Sequence, residues 1–402
     1  MSKKSKRQRA MALFVTLVSL SVLSVLFCTV CIIALNSSKV VTHKKSNLEN
    51  VGDTAENSPE DIKKVFEMVL DNTEDASETD VIPEEQGPKR VICWGDSLTQ
   101  GNGGDGMTYP LAIKNAATTD HNEIEVLNYG VSGELTSLIA ARCGGTPLKL
   151  ESGITIPAEC KPVSIKIKNS PDGLNYLLTW GGDREFSAQG KAFKADNSVN
   201  PCILVADDGT EIEGNIMCSP EDGSKSFVRL EPGEAVHVSA SNRIQTWPMR
   251  DHRTSDVLVI WTGNNDKLTP SSAQNTIKLI ENMVKYTYDA EDKDIKELND
   301  KPYLVLNLSQ IDQVNGIDEV NAQISEAFGD HVLDIRSYLL NEALTDANIP
   351  AEEIKTEEDA ENLAKGKMPQ SLYGKDGVHF TYRCYEIVGE RIYEELKNKG
   401  YL

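Results

Sequence analysis

The sequence predicts an α/β protein whose core is a parallel β-sheet. Short apolar runs at residues 90–94, 124–128, 256–261, 303–308 and 331–335 read as strands without polar alternation. That is the pattern of strands covered on both faces. Helical periods accompany them at 109–117, 134–143, 271–288, 317–328 and 382–398. Strands alternating with helices form a sheet with helices on both sides, and such sheets carry their sites at the carboxyl ends of the strands.

The chain has 402 residues, enough for one large domain or two modest ones. Residues 1–10 carry Lys3, Lys4, Lys6, Arg7 and Arg9 and read as a basic cytoplasmic tail. Residues 11–35 contain no charge, Pro or Gly. That run exceeds both the roughly 20 apolar residues that cross a bilayer and the roughly 7–15 of a cleaved signal peptide. Basic residues before it place the amino terminus inside by the positive-inside rule. A single-pass anchor in the cell membrane is therefore expected, touching lipid through residues 11–35, with the remainder outside. Residues 36–88 are polar and acidic and read as a stalk. One short helix is expected there, where Ser58-Pro59-Glu60-Asp61 precedes Val65, Phe66, Val69 and Leu70.

Residues 89–402 carry the α/β pattern, interrupted at 146–252. Within the interruption, polar and apolar residues alternate at 163–168, 202–205, 211–216, 227–230 and 235–239. Turns separate them at Pro171-Asp172-Gly173, Asp207-Asp208-Gly209 and Asp222-Gly223. This is a β-rich insert. It leaves the frame at the far end of a helix and returns at the start of a strand, which predicts a self-contained accessory module rather than a lid.

Composition narrows the partners. The net charge is −21, and the basic tail contributes +5, leaving −26 for the rest. So acidic a domain repels phosphate backbones, which excludes nucleic acid as a partner. The histidines at 43, 121, 237, 252 and 331 show no metal-binding spacing and read as ordinary surface or strand residues, so neither metal nor cofactor is expected. Cys93 sits in an apolar strand and is expected to be a buried free thiol. Trp180 and Trp247 lie in the insert, where core packing is the expected role.

The chemistry lies where strands end. Gly95-Asp96-Ser97-Leu98-Thr99 follows the first strand, and a Ser at that junction projects its hydroxyl above the sheet. Near the other end, Asp376-Gly377-Val378-His379 lets a carboxylate reach an imidazole that faces the Ser. Asn128-Tyr129-Gly130-Val131-Ser132-Gly133 follows the second strand, and Gly263-Asn264-Asn265-Asp266 the third. The N–H of Gly133 and the side-chain amide of Asn265 can join the N–H of Ser97 as an oxyanion hole. Asp96 and Asp266 read as loop braces.

These blocks resemble the SGNH (GDSL) hydrolase superfamily, whose Ser, Gly, Asn and His appear in this order. Here they match at Ser97, Gly133, Asn265 in G-x-N-D and His379 in D-x-x-H, over residues 89–402 apart from the insert. The resemblance implies a flavodoxin-like three-layer sandwich and metal-free ester hydrolysis through a Ser97–His379–Asp376 triad. The family includes lipases, thioesterases and carbohydrate O-acetylesterases, and some relatives transfer acetyl groups. The expected substrate is an O-acyl, most simply O-acetyl, ester on an external glycan. The rival from another class is a catalytically silent surface protein that binds glycan or protein through the insert.

Overall fold

In a computed structural model the chain is described over residues 88–168, 186–188, 191–193, 199–219, 221–240, 242–309, 316–343, 356–374 and 376–402. Residues 1–87, with the apolar run 11–35, lie outside the described residues, as do the turn at 171–173 and Trp180. Among the described residues no helix is long and apolar enough to cross a membrane.

Strand β1 (Lys89–Gly95) leads into the short helix α1 (Ser97–Gln100), followed by α2 (Tyr109–Thr119), β2 (Ile124–Gly130) and α3 (Thr136–Cys143). The insert then contributes β3 (Leu148–Leu150), β4 (Ile154–Ile156), β5 (Val163–Ile165), β6 (Ile167–Lys168), β7 (Phe186–Ala188) and β8 (Lys191–Phe193). It continues with β9 (Val199–Val205), β10 (Glu211–Cys218), β11 (Lys225–Arg229), β12 (Val236–Val238), β13 (Arg243–Gln245) and helix α4 (Trp247–Asp251). The frame resumes with β14 (Val257–Trp261), α5 (Ala273–Thr287), β15 (Tyr303–Leu306), α6 (Ile317–Phe328) and β16 (Val332–Leu333). It ends with α7 (Ile335–Asn341), α8 (Glu357–Ala364) and α9 (Tyr382–Asn398).

The frame strands form one parallel sheet in the order β16-β15-β14-β1-β2. This is the flavodoxin-like order, and the strand order reverses between β1 and β14, where a crevice opens at the carboxyl ends. Successive side chains of each strand point to opposite faces. Val91, Cys93, Val257, Val259 and Trp261 therefore join a core with Ile113 of α2 and Tyr385, Val388 and Ile392 of α9. Ile92, Trp94, Leu258 and Ile260 pack with Ile139 of α3, Ile277 and Ile280 of α5 and Ile324 of α6. The sandwich thus has three layers, and each Val, Leu or Ile side chain fully withdrawn from water contributes about 1.5–3 kcal/mol. Cys93 is buried and unpaired.

The insert forms a seven-stranded antiparallel sheet in the order β5-β11-β10-β9-β13-β3-β6. Its first strand pairs with its last, Leu148 opposite Ile244, so the chain enters and leaves side by side. The sheet is not self-contained, contrary to expectation. Its apolar face, with Leu148, Leu204, Ile216, Phe227 and Ile244, packs on Leu138 and Ala141 of α3. One helix thus serves two cores, because a single sheet face left open would leave these side chains in water.

Several element limits differ from the sequence reading. The strand expected at 331–335 shrinks to Val332–Leu333, because the Asp334 carboxylate accepts from the Ser337 N–H and starts α7. The helix expected from 134 begins at Thr136, and its first N–H and the Thr136 hydroxyl are bound by the Asp266 carboxylate at 3.1 and 3.0 Å. His331, expected to be ordinary, is buried and stacked on Tyr303 at 3.8 Å between centroids. Burial holds its imidazole pKa below the usual value. Trp247 is buried against Arg250, whose guanidinium lies 3.7 Å from the ring centroid.

Candidate active site

Ser97 is the first residue of α1 and is only 6% exposed. Two glycines let this helix sit against the sheet. A Cβ on Gly95 would lie 2.0 Å from the Thr99 hydroxyl and 2.3 Å from the Trp261 carbonyl, and one on Gly130 would lie 2.1 Å from the Gln100 nitrogen. Any side chain there would lift the helix off the strands. Below it, the buried Asp96 carboxylate accepts from the Leu98 N–H at 3.0 Å and from Asn264 Nδ2 at 3.3 Å, joining the first and third strand ends. Burial pushes the Asp96 carboxyl up to about 6, against the pull of those two donors.

His379 and Asp376 approach from the loop before α9. His379 Nε2 lies 2.9 Å from Ser97 Oγ, and His379 Nδ1 lies 2.7 Å from Asp376 Oδ2. The other carboxylate oxygen, Oδ1, accepts from the backbone N–H groups of Val378 and His379, both at 3.0 Å. Desolvation raises the Asp376 carboxyl, but the hydrogen bonds from the His379 ring and the two N–H groups outweigh it and hold the group at about 2. An ionised carboxylate accepts only, so Nδ1 carries the proton and Nε2 is left to accept from the Ser97 hydroxyl.

The second strand end is fastened to the first. The Val131 N–H donates to the Gly95 carbonyl at 3.1 Å, the Ser132 N–H to Gln100 Oε1 at 2.6 Å, and Asn102 Nδ2 to the Ser132 hydroxyl at 2.9 Å. Gly133 has φ of 78° and nothing where its Cβ would be, so this edge of the loop is open. Asn265 is half-buried, and its Nδ2 donates to the Glu134 carbonyl at 2.9 Å, which leaves a second N–H on the same nitrogen.

All five sequence-chosen residues therefore lie on three strand ends and one loop. Ser97, His379 and Asp376 are joined directly, and Asn265 is bonded to the residue after Gly133. Sequence reasoning missed Glu134 and its partner Arg142, the Asn264–Asp96 link, and Gln100 and Asn102. A helix starting at Glu134 would set positions 134 and 142 two turns apart, too far to touch. Only the later helix start lets Glu134 fold back onto Arg142.

The chain belongs to the family described as GDSL-like lipase/acylhydrolase, whose model matches residues 91–392. It is by class a serine hydrolase acting on ester bonds. No curated protein matches the sequence. Among solved structures, a lipase, Lip_vut3, from a goat rumen metagenome is similar at 15% identity, covering 78% of this chain and 98% of that one with a TM-score of 0.32. The psychrotrophic esterase EstA from a Pseudoalteromonas species, in a structure inhibited by monoethylphosphonate, is 11% identical over 77% and 97% with a TM-score of 0.33. AlinE4, an SGNH-hydrolase family esterase, is 12% identical over 70% and 93% with a TM-score of 0.28.

Proposed function

We propose that this chain removes small acyl groups, foremost O-acetyl, from carbohydrate outside the cell, through an acyl-enzyme on Ser97. The observation that carries the chemistry is the continuous Asp376–His379–Ser97 hydrogen-bond chain of 2.7 and 2.9 Å. As Ser97 Oγ attacks the ester carbonyl carbon, its proton passes to His379 Nε2, and the Asp376 carboxylate stabilises the imidazolium. The N–H groups of Ser97 and Gly133 and the free N–H of Asn265 Nδ2 receive the oxyanion. Collapse breaks the ester C–O bond, and His379 returns the proton to the leaving alcohol. Water then attacks the acyl-enzyme with His379 again as base, restoring Ser97 and releasing the acid. The external, anchored placement is supported by the uncharged run 11–35 behind a basic tail, and the glycan by that placement.

A fluorophosphonate probe should label the wild-type chain, and Ser97→Ala should abolish the label; labelling that survives removes Ser97 from the role. Acetate release from an acetylated polysaccharide, absent in Ser97→Ala, tests the substrate class. If only esters of long acyl chains are cleaved, the glycan reading is wrong. Protease added to intact cells should release a soluble, active fragment. A fragment protected until lysis reverses the orientation.

A further inference from the structure

Behind the Gly133 loop lies a buried ion pair that the chemistry above does not use. Arg142 is fully buried and Glu134 is 4% exposed. Arg142 Nε donates to both Glu134 carboxylate oxygens at 3.2 and 3.3 Å, and Nη2 donates to Oε2 at 2.6 Å and to the Tyr129 carbonyl at 2.8 Å. The guanidinium also lies 4.9 Å from the Trp94 ring centroid. One side chain thus holds both ends of the 129–134 loop, which contains Gly133. Glu134 adds a second connection, since its carbonyl receives Asn265 Nδ2. From the other side, the hydroxyl of Thr246, in the last stretch of the insert, donates to the Arg142 carbonyl at 2.6 Å. The insert core meanwhile rests on Leu138 and Ala141 of the same helix.

Stability alone explains this arrangement poorly. Withdrawing two charges from water costs as much as their attraction returns, and apolar replacements of equal volume are often neutral or better. Arg142 Nη1 has no hydrogen-bond partner among the described residues, which adds to that cost. Fixed geometry is what a forked guanidinium supplies in return. Resting on the oxyanion reading of Gly133 and Asn265 given above, we propose that Arg142 and Glu134 are a positioning pair for the oxyanion loop, and that α3 makes the insert part of that support. The insert then acts on every substrate, small esters included, without touching any of them.

The test uses the full chain, p-nitrophenyl acetate, and temperatures below each variant's melting midpoint. Arg142→Met should lower kcat by about 10–100-fold with KM within about threefold, because the oxyanion donors act mainly in the transition state. If Arg142→Met does not fold, Arg142→Lys keeps the charge, loses the fork, and should show the same split at smaller size. Thr246→Val should lower kcat about two- to fivefold. In an Asn265→Ala background these losses should shrink to less than half, since coupled groups are not additive. Losses that multiply independently of Asn265→Ala, or that appear in KM alone, overturn the proposal. Unchanged turnover in Thr246→Val removes the insert from the support. Unchanged turnover in Asn265→Ala alone overturns the oxyanion reading itself, and the positioning role with it.

Discussion

Among the described residues, the Asp376–His379 and Asp207–His237 pairs each have a Ser hydrogen-bonded to one member, and they differ in how the bonds are ordered. In the frame, Asp376 binds His379 Nδ1 at 2.7 Å and His379 Nε2 faces Ser97 Oγ at 2.9 Å. In the insert, Asp207 binds His237 Nδ1 at 2.8 Å, but the Ser239 hydroxyl donates to Asp207 itself, also at 2.8 Å. Both carboxyls are held at about 2. For Asp207 the cause is the His237 hydrogen bond, then those from Ser239; for Asp376, hydrogen bonds that outweigh its desolvation. The carboxylates are thus alike, and the serines are not. Ser239 donates to a carboxylate held at about 2, far too weak a base to take the hydroxyl proton, and His237 is bonded to that carboxylate rather than to the Ser239 oxygen. Asp207 also accepts from the Ser239 N–H and Asn242 Nδ2 at 2.9 and 3.0 Å, which makes it the brace of a turn. His237 is 56% exposed, whereas His379 is 22% exposed and sheltered by the loops around α1. Composition of a trio therefore says little; the sequence of donors and acceptors, and its place at a strand end, separate a catalytic set from a turn.

Substitution of the two histidines separates the two pairs most strongly. His379→Ala should lower p-nitrophenyl acetate turnover by about 10⁴-fold or more, as groups acting as a unit fail together. His237→Ala should leave it unchanged. A comparable loss in both would end the distinction. Next in size, Asn265→Ala should lower kcat by about 10²–10³-fold with KM nearly constant. A rise in KM at constant kcat would make Asn265 a ground-state binding group instead.

A third expectation contrasts Asp96 with the two paired carboxylates. Its carboxyl titrates at about 6 in the folded chain and near the ordinary ~3.9 when unfolded. Between those values the folded state holds more protons, so this group makes stability fall as pH rises, by roughly 3 kcal/mol in all for a shift of about two units. Asp96→Asn should therefore lose less stability than wild type between pH 4 and 7 in urea titrations. An equal or larger loss in the variant would show that Asp96 is ionised throughout. The smallest effect belongs to the insert: Asp207→Ala should lower the melting midpoint and leave turnover untouched, and a turnover loss would place Asp207 nearer the chemistry than its bonds do.

Much of this was legible in the sequence. The apolar runs gave the strands of the parallel sheet, because strands covered on both faces have no polar alternation to hide them. Helix α9 was readable to its limits, since Cys384, Ile387, Val388, Ile392 and Leu396 repeat at helical spacing after the capping Thr381. Ser97, His379, Asp376 and Asn265 stood out because each follows a strand or sits at a spacing that only local bonding needs. Three-residue strands such as β3, β4 and β13 were not readable, as two or three residues carry no period. The helices α7 and α8 were missed for a related reason: Asp334 and the Thr356–Asp359 capping box start them in stretches read as strand end or loop.

By itself, then, the sequence determined the local things: strand and helix periods, the residues at strand ends, and the D-x-x-H spacing whose geometry is set within four residues. Tertiary structure alone decided what depends on distant partners meeting. It chose the strand order that puts β1 beside β14 and so brings Asp96 and Asn264 within hydrogen-bond reach. It set the start of α3 through Asp266, 130 residues away, which turned Glu134 from a helix residue into the partner of Arg142. And it gave α3 two cores to serve, because the apolar face of the insert sheet is buried only when another element covers it.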